Sequence, residues 1–405
     1  MPVQTILLAG RNLSRQRRRT AAAMSSIAFG AIALLLAGGF IEWLLWGMRE
    51  GVIQGQLGHI QVMQAEYLER GQAQPFDFVL PPDPERESLL LEHPHVQVVT
   101  PRLAFAGLVS RDDHTVPFLG EGVDPEREEE VSADYRITGG AGLRDGPKVI
   151  LGVGLAATLD ANPGDQVALL VSTASGGFNA VEVTVSGLFT TANKALNDIA
   201  LRIPINTARE LLRVEGQHTW VVLLEDTRHT DAVRASLVAQ MGAEGLDIVP
   251  WHVQADFFNK TAQLFSRQIS VLQAMIVIII LLGISNTLMM NVLERTGEIG
   301  TQLALGFRRK TIIRQFFTEG LLVGILGGGL GIVLGIGAAW ALSTIGIPMP
   351  PPPGMDTGFV AAIRVTPSLI VVTFALVAGA TALAGLYPAW RASRLNIVDA
   401  LRHNR

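Results

Sequence analysis

The sequence predicts an integral membrane α-helical fold: four transmembrane helices, with a large α/β domain, expected to be periplasmic, inserted between helices 1 and 2. Three observations carry this expectation. Apolar runs at 21–46, 269–292, about 313–345 and 369–390 are each long enough to cross a bilayer, which needs about 20 helical residues. The stretch 49–265 between the first two is polar and punctuated by turn residues. Charge is split between these parts. Residues 49–265 hold 16 Lys and Arg against 30 Asp and Glu, a balance of −14, while the remainder holds 16 against 6, or +10.

That split orients the chain. Arg11, Arg15, Arg17, Arg18 and Arg19 precede helix 1 with no acid among them, Arg308, Arg309 and Lys310 precede helix 3, and Arg391, Arg394, Arg402 and Arg405 follow helix 4. Basic excess in short flanks marks the cytoplasmic side. The expected organisation is therefore 1–20, cytoplasmic N-terminus; 21–48, helix 1; 49–265, periplasmic α/β domain; 266–293, helix 2; 294–311, cytoplasmic loop; 312–346, helix 3; 347–367, periplasmic Pro-rich loop; 368–390, helix 4; 391–405, cytoplasmic tail. The first apolar run lacks a small-residue cleavage signal and reads as an uncleaved anchor. Glu42 lies between Phe40 and Trp43 near the outer end of helix 1, where Trp43 and Trp46 mark the interface belt, so it is given no role. Zero cysteines exclude a disulfide, thiolate catalysis and Cys-based metal binding.

Within the inserted domain, β-branched or alternating runs at 96–99, 103–109, 149–151, 166–171, 181–189, 199–203 and 219–224 read as strands, and 205–213 and 230–241 as helices. Its 217 residues exceed a typical single domain, which suggests a membrane-near subdomain built from both ends and a distal one over about 125–200. The acidic run Asp124, Glu126, Glu128, Glu129 and Glu130 reads as a solvated loop. Gly152-Val153-Gly154-Leu155-Ala156-Ala157 matches a dinucleotide-binding turn, but one match without a βαβ unit is weak. Glu92, His93 and His95 cluster, yet Pro94 breaks helical ligand spacing; Asp112, Asp113 and His114 read as a hairpin turn. No metal site and no catalytic residue is assigned. The negative balance argues against a nucleic-acid partner, which needs a basic face.

Helix 3 carries Gly320, Gly324 and Gly328, overlapping with Gly327, Gly331 and Gly335, at four-residue spacing. Small residues at that interval make a smooth strip that lets another helix approach; the alternative is a kinkable helix. In the preceding loop, Ile299, Leu303 and Phe307 at i, i+4 and i+8 would give a short helix one apolar face, which needs either a partner or the lipid headgroups.

ERTGEIGTQLALGFRRKTI followed by FFTEGLLVGILGGGLGIVLG, with the tail YPAWRASRLNIVDALR, resembles the FtsX-like, or MacB-like, permeases of mechanotransmission (type VII) ABC transporters, which include macrolide exporters and lipoprotein-releasing permeases. The outer stretches VILGVGLAATLDANPGDQVALL, VEVTVSGLFTT and IALRIPINTARELL resemble the family's periplasmic domain. The one-plus-three span order matches too, and the layout is nearest the lipoprotein-releasing permeases. The tail departs from the family pattern, with Ile397 where proline is usual, although Asn396 and Asp399 keep capping-box spacing.

The resemblance implies a bacterial inner-membrane permease that transmits motion and carries no cargo through the bilayer. It implies two permease chains, in a homodimer or heterodimer, above cytoplasmic ABC ATPase subunits. It further implies a coupling loop in which Glu294, Arg295, Glu298, Ile299, Leu303 and Gly306 meet the ATPase. No Gly-x-x-x-x-Gly-Lys-Ser/Thr phosphate loop occurs in the sequence, so ATP and Mg are expected on a separate ATPase and no cofactor on this chain. Three outputs stay open: extraction of a lipoprotein, lipid or other amphiphile from the outer leaflet; tripartite efflux with a periplasmic adaptor; or regulation of a cell-wall hydrolase. By position alone, Phe40, Trp43, Leu44, Phe265 and Leu272 at the outer ends of helices 1 and 2 are the candidate cargo contacts.

Overall fold

The structure is a computed structural model that describes residues 17–71, 73–133, 135–191, 193–242, 245–350 and 358–394. The expected basic residues Arg11 and Arg15, residues 351–357 of the Pro-rich loop, and the tail from 395 on, with Asn396, Ile397 and Asp399, lie outside these described residues. The chain forms two compact units: a helical one, from residues up to Leu45, Ala262–Met349 and from Val360 on, and an α/β one from Trp46–Thr261 and Pro350–Phe359.

Among the described residues, four helices are long and apolar enough to cross a membrane: α1 (Arg17–Val52), α7 (Asp256–Glu294), α9 (Arg309–Ile345) and α10 (Pro367–Ser393). The short helix α8 (Thr296–Ala304) links α7 to α9. At 1.5 Å per residue, the 39 residues of α7 measure about 58 Å, nearly twice a bilayer's hydrocarbon core. The core of the helical unit is thin. Ile27, Leu34, Ile284, Leu288, Val323 and Val377 fill it, with alanines between them.

In the α/β unit the strands are β1 (Ile60–Gln64), β2 (Val96–Arg111), β3 (His114–Val123), β4 (Arg136–Gly140), β5 (Lys148–Gly152), β6 (Gln166–Ser172), β7 (Phe178–Thr190), β8 (Ala200–Pro204), β9 (Thr219–Leu224) and β10 (Leu246–Pro250). Its longer helices are α2 (Pro84–Leu91), α3 (Pro125–Val131), α4 (Val153–Leu159), α5 (Ile205–Leu212) and α6 (Thr230–Met241). Pairings β2–β3, β3–β8, β8–β5, β5–β7, β7–β6 and β6–β2 close on themselves into a six-stranded barrel. Alternation along these strands turns Leu103, Phe105, Val109, Val167, Leu169 and Val183 inward, against α4 and α5. A second core lies under β10–β1–β9 and the first part of β2, where Ile60, Val62, Trp220 and Val222 meet Leu237 of α6. β2 is long enough to serve both cores, because the two runs at 96–99 and 103–109 form one 16-residue strand.

Several local expectations need correction. The acidic run is not a solvated loop: Asp124 accepts hydrogen bonds from the Glu126 and Arg127 amides and caps α3, and Pro125 supplies its first turn. Glu128 is thereby turned inward and buried. The Gly152-Gly154 turn does join a strand to a helix, but β5 and β6 are not neighbours. A side chain at either glycine would collide with Asn197 or Asp198, so packing within the chain accounts for the glycines.

Candidate functional site: the α8 loop and the glycine-faced helix

Helix α8 exists because the chain breaks at both of its ends. Arg295 leaves helical geometry between α7 and α8, and Gly306, with φ of 89°, turns the chain after Ala304 and Leu305. The expected single apolar face does not extend to Phe307, which lies beyond that turn and is 52% exposed.

The inner face of α8 is satisfied by this chain. Ile299 is 2% exposed and, with half-buried Leu303, packs on Val292, Ile312, Phe316 and Ala389. Arg295 also points inward. Its Nε donates to Glu298 Oε2 at 3.1 Å, and its Nη1 to Glu319 Oε1 and Oε2 at 3.1 and 3.2 Å. Its guanidinium lies 5.4 Å from the centre of the Phe316 ring. Burial would lower the Arg295 pKa, but Glu319 and Glu298 outweigh it and raise it. Ile299, Leu303 and Arg295 thus pack against α7, α9 and α10 of their own chain. The exposed surface is different. Leu293, Glu294, Glu298, Leu305, Gly306 and Phe307 all face outward, with Leu305 at 74%. Arg308, Arg309 and Lys310 are exposed beside them.

The α9 glycines divide into two faces. Gly320, Gly324 and Gly328 lie against α10, at Gly385, Thr381 and Val377, with Leu288 of α7 also beside Gly320. Gly327, Gly331 and Gly335 lie against α1, at Ile27, Ala28 and Leu35. The approach is closest at Gly324, where a Cβ would sit 2.0 Å from Thr381 Oγ1, and on the α1 face at Gly331, where it would sit 2.7 Å from the Ala28 carbonyl oxygen. Close contact between helices in this way is the association available where lipid gives no hydrophobic drive. A small cleft below these faces is lined by Thr20, Ala23, Thr287, Asn291 and Glu319, and Asn291 Oδ1 is buried there without a hydrogen-bond partner. Glu319, also in this cleft, is held by Arg295.

Phe40, Trp43 and Leu44 on α1, and Phe265 and Leu272 on α7, are all half-buried. The exposed apolar residues of α7 are others. Phe257, Leu264, Val271 and Ile278 recur every seven residues, 55–75% exposed.

In the α/β unit, one cluster went unread in the sequence. Arg102 of β2 pairs with Glu128 at 2.5 Å and donates to the Gln56 carbonyl in the π-helical turn Ile53–Leu57 that follows α1. Arg202 of β8 donates to Glu121 at 2.7 and 2.9 Å and to Ser132 at 2.8 Å, lies 3.3 Å from Glu128, and stacks 3.5 Å over the Tyr135 ring. Burial works to lower the Arg202 pKa, but Tyr135, Glu121 and Glu128 together raise it. Burial likewise works to raise that of Glu121, but Arg202 and Arg102 lower it. Burial pushes the Tyr135 hydroxyl up to about 12. A lone arginine in each of two apolar strands was the available signal. Nothing in the sequence pairs them. The same holds for His229, whose ring stacks on His95 at 4.0 Å. Stacked imidazoles present their nitrogens side by side and do not converge on a common point, and no group of three metal-ligating residues gathers among the described residues.

Known proteins agree with the architecture. The family described as FtsX-like permease C-terminal matches residues 270–397, and the MacB-like periplasmic core domain matches residues 20–240. A macrolide export ATP-binding/permease protein MacB of Hyphomonas neptunium is 32% identical over 212 residues, covering 51% of this chain and 30% of that protein. A lipoprotein-releasing system transmembrane protein LolC of Xylella fastidiosa is 25% identical over 342 residues, covering 78% of this chain and 80% of that protein. The match thus spans about a third of the MacB relative's length and most of LolC's. Among solved structures, the periplasmic region of MacB from Actinobacillus actinomycetemcomitans aligns with 50% of this chain and 94% of its own, at 13% identity and a TM-score of 0.37.

Proposed function

From the premise that this chain belongs to the FtsX-like permeases with a MacB-like periplasmic core, we propose that it is the multi-pass inner-membrane permease subunit of an ABC transporter, working with an ATPase on a separate chain. The observation that carries the reading is the outward face of the α8 loop. Leu293, Leu305 and Phe307 are apolar, exposed and flanked by Glu294, Glu298 and the basic run Arg308–Lys310, a composition suited to a protein partner. In this reading the partner binds ATP and Mg, the loop and both termini are cytoplasmic, and the α/β unit is periplasmic. The permease itself performs no chemistry.

A second permease chain, identical or paralogous, is supported by the seven-residue spacing of Phe257, Leu264, Val271 and Ile278, a period suited to helix pairing. The cargo reading is extraction of a lipoprotein or other amphiphile. Its support is coverage: LolC aligns over 80% of its own length, the MacB relative over 30%. Mechanical transmission, with Phe40, Trp43, Leu44, Phe265 and Leu272 beside the outer leaflet, remains the proposed route.

The test is an affinity purification of the tagged chain from mild detergent, with mass spectrometry of retained proteins and lipids. An ATPase with lipoproteins or lipid supports the reading. An ATPase with an adaptor, or with a cell-wall hydrolase, moves the output to efflux or regulation. No ATPase overturns the proposal.

A further inference from the structure

We infer that the Arg295–Glu319 pair is the joint that makes α8 and α9 move as one body, so that Arg295 is a positioning residue of the coupling element and not part of its docked surface. The inference deepens the proposed function and rests on it.

A helix that receives a push can pass it on only if it is tied to the next element. The backbone leaves helical geometry at Arg295 before α8, where the Arg295 and Ile299 amides still donate to the Asn291 and Arg295 carbonyls, and turns at Gly306 after it. A joint at each end leaves the orientation of the helix to its side chains. The contacts of Ile299 and Leu303 with Val292, Ile312 and Phe316 resist its removal, but apolar contact is non-directional and allows sliding. Arg295 supplies direction. Nη1 donates to both oxygens of Glu319, Nε holds Glu298 one turn along α8, and the guanidinium is 13% exposed. Charge-assisted bonds of this kind fix geometry as well as distance.

The position of Glu319 gives the tie its use. It is 3% exposed on α9, and the next residue, Gly320, begins the glycine faces that meet α10 and α1. A displacement delivered to α8 therefore enters α9 at the turn from which it spreads to the other helices. A buried carboxylate in a membrane helix is costly unless paired. Here Arg295, at the α7–α8 break, pairs with it. Lateral play in α8 is thereby opposed by the loss of that pairing.

The chain has no cysteine, so a spin-label pair can be placed at exposed Thr301 of α8 and exposed Val333 of α9 in the full chain, purified with the ATPase it retains and reconstituted in nanodiscs. The expected native result is one narrow distance, unchanged by ATP with vanadate. In Arg295→Met, the ATPase is retained at native stoichiometry, but the distribution broadens at least two-fold and shifts with nucleotide. Glu319→Gln, which keeps size and an acceptor, gives a smaller effect in the same direction, and the swap Arg295→Glu with Glu319→Arg, made together with Glu298→Gln so that the new carboxylate meets no like charge, restores the narrow distance. A purely structural role for Arg295 would not be rescued by exchanging the charges. The inference is overturned if Arg295→Met keeps the native distribution, if the swap fails to restore it while the chain remains folded, or if Arg295→Met loses the ATPase, which would return Arg295 to the docked face. A native chain that retains no ATPase removes the proposed function and the transmission with it. The nucleotide-free distances then still read the tie between the helices.

Discussion

Two buried arginine clusters, one in each unit, differ in how tightly they are determined. In the α/β unit, Arg102 and Arg202 meet Glu121 and Glu128 from four separate elements, with Thr100, Ser132, Tyr135 and the Gln56 carbonyl filling the remaining directions. In the helical unit, Arg295 has two carboxylates, and one of them, Glu298, is 52% exposed. The first cluster is the more enclosed, its Glu121 side chain being 34% exposed against 52% for Glu298, and acts as a clamp. The second is open on one side and can serve a moving part. Buried ion pairs add little net stability over apolar packing, so the difference lies in what each arrangement permits.

The largest effect is expected in the more enclosed cluster. Arg202→Met leaves Glu121 and Glu128 undercompensated and should lower the stability of the α/β unit by about 3–5 kcal/mol, read by the fluorescence of buried Trp220 and Trp251 on thermal unfolding of the full chain. In the native chain, the swap Arg102→Glu with Glu128→Arg should likewise lower stability, because Arg202 would then face an arginine. Native stability in the swapped chain would make the two clusters equivalent.

Acid should then loosen the α/β unit and spare the helical one. His59 Nδ1 accepts from the Leu224 amide and its Nε2 lies 3.1 Å from Thr227 Oγ1; His218 Nδ1 accepts from the Ala104 amide while Nε2 donates to the Pro75 carbonyl. Both rings are therefore held neutral. Burial lowers the pKa of His59 to about 4, and burial also lowers that of His218. The unfolded chain takes up these protons first, so their contribution to stability is complete above about pH 6.5 and is lost as pH falls, for His59 through about 4. For His59 the loss is on the order of 3 kcal/mol at most. A flat unfolding temperature across that window would remove the argument.

A smaller, local effect is expected at the helix contacts. Gly331→Ala puts a methyl against the Ala28 carbonyl and should cost about 1–3 kcal/mol of bundle stability. Gly335→Ala, where the nearest atom is 3.5 Å away, should cost less than about half of that. Equal melting temperatures for the two would mean that α1 and α9 adjust freely. Least of all, Leu305→Ser with Phe307→Ser should change stability by under about 0.5 kcal/mol, since both side chains are exposed, yet reduce ATPase retention at least ten-fold.

The spans were legible because a bilayer demands long apolar helices, β6 and β7 because alternation marks a half-buried strand, and β9 because a short β-branched apolar run marks a fully buried one. β3 was not. Pro117, Gly120 and Gly122 read as turn residues, whereas the glycines make room for Phe105 and for Ala208 of α5. α3 was hidden by its charges, although Asp124-Pro125 is a helix-start signal that could have been weighed. The α8 loop was half legible. Periodicity found an apolar face, but a face that packs on its own chain and one that waits for a partner have the same spacing. Only Arg295 finding Glu319, 24 residues away, separates them.

The barrel also restricts how anything can join it. Where a strand is paired on both sides, a neighbour cannot extend the wall by adding a strand. β3 meets β8 only from Leu119 and β7 meets β5 only from Thr184, so residues 114–118 and 178–183 are paired on one side. In the path of strands β10 and β4 stand at the ends; β4 is short, irregular at Ile137 to Gly139 and largely exposed, and β10 ends in Pro250. Backbone-to-backbone joining is thus confined to these brief edges. Elsewhere recognition must go through side chains, which can be changed one at a time without disturbing the barrel.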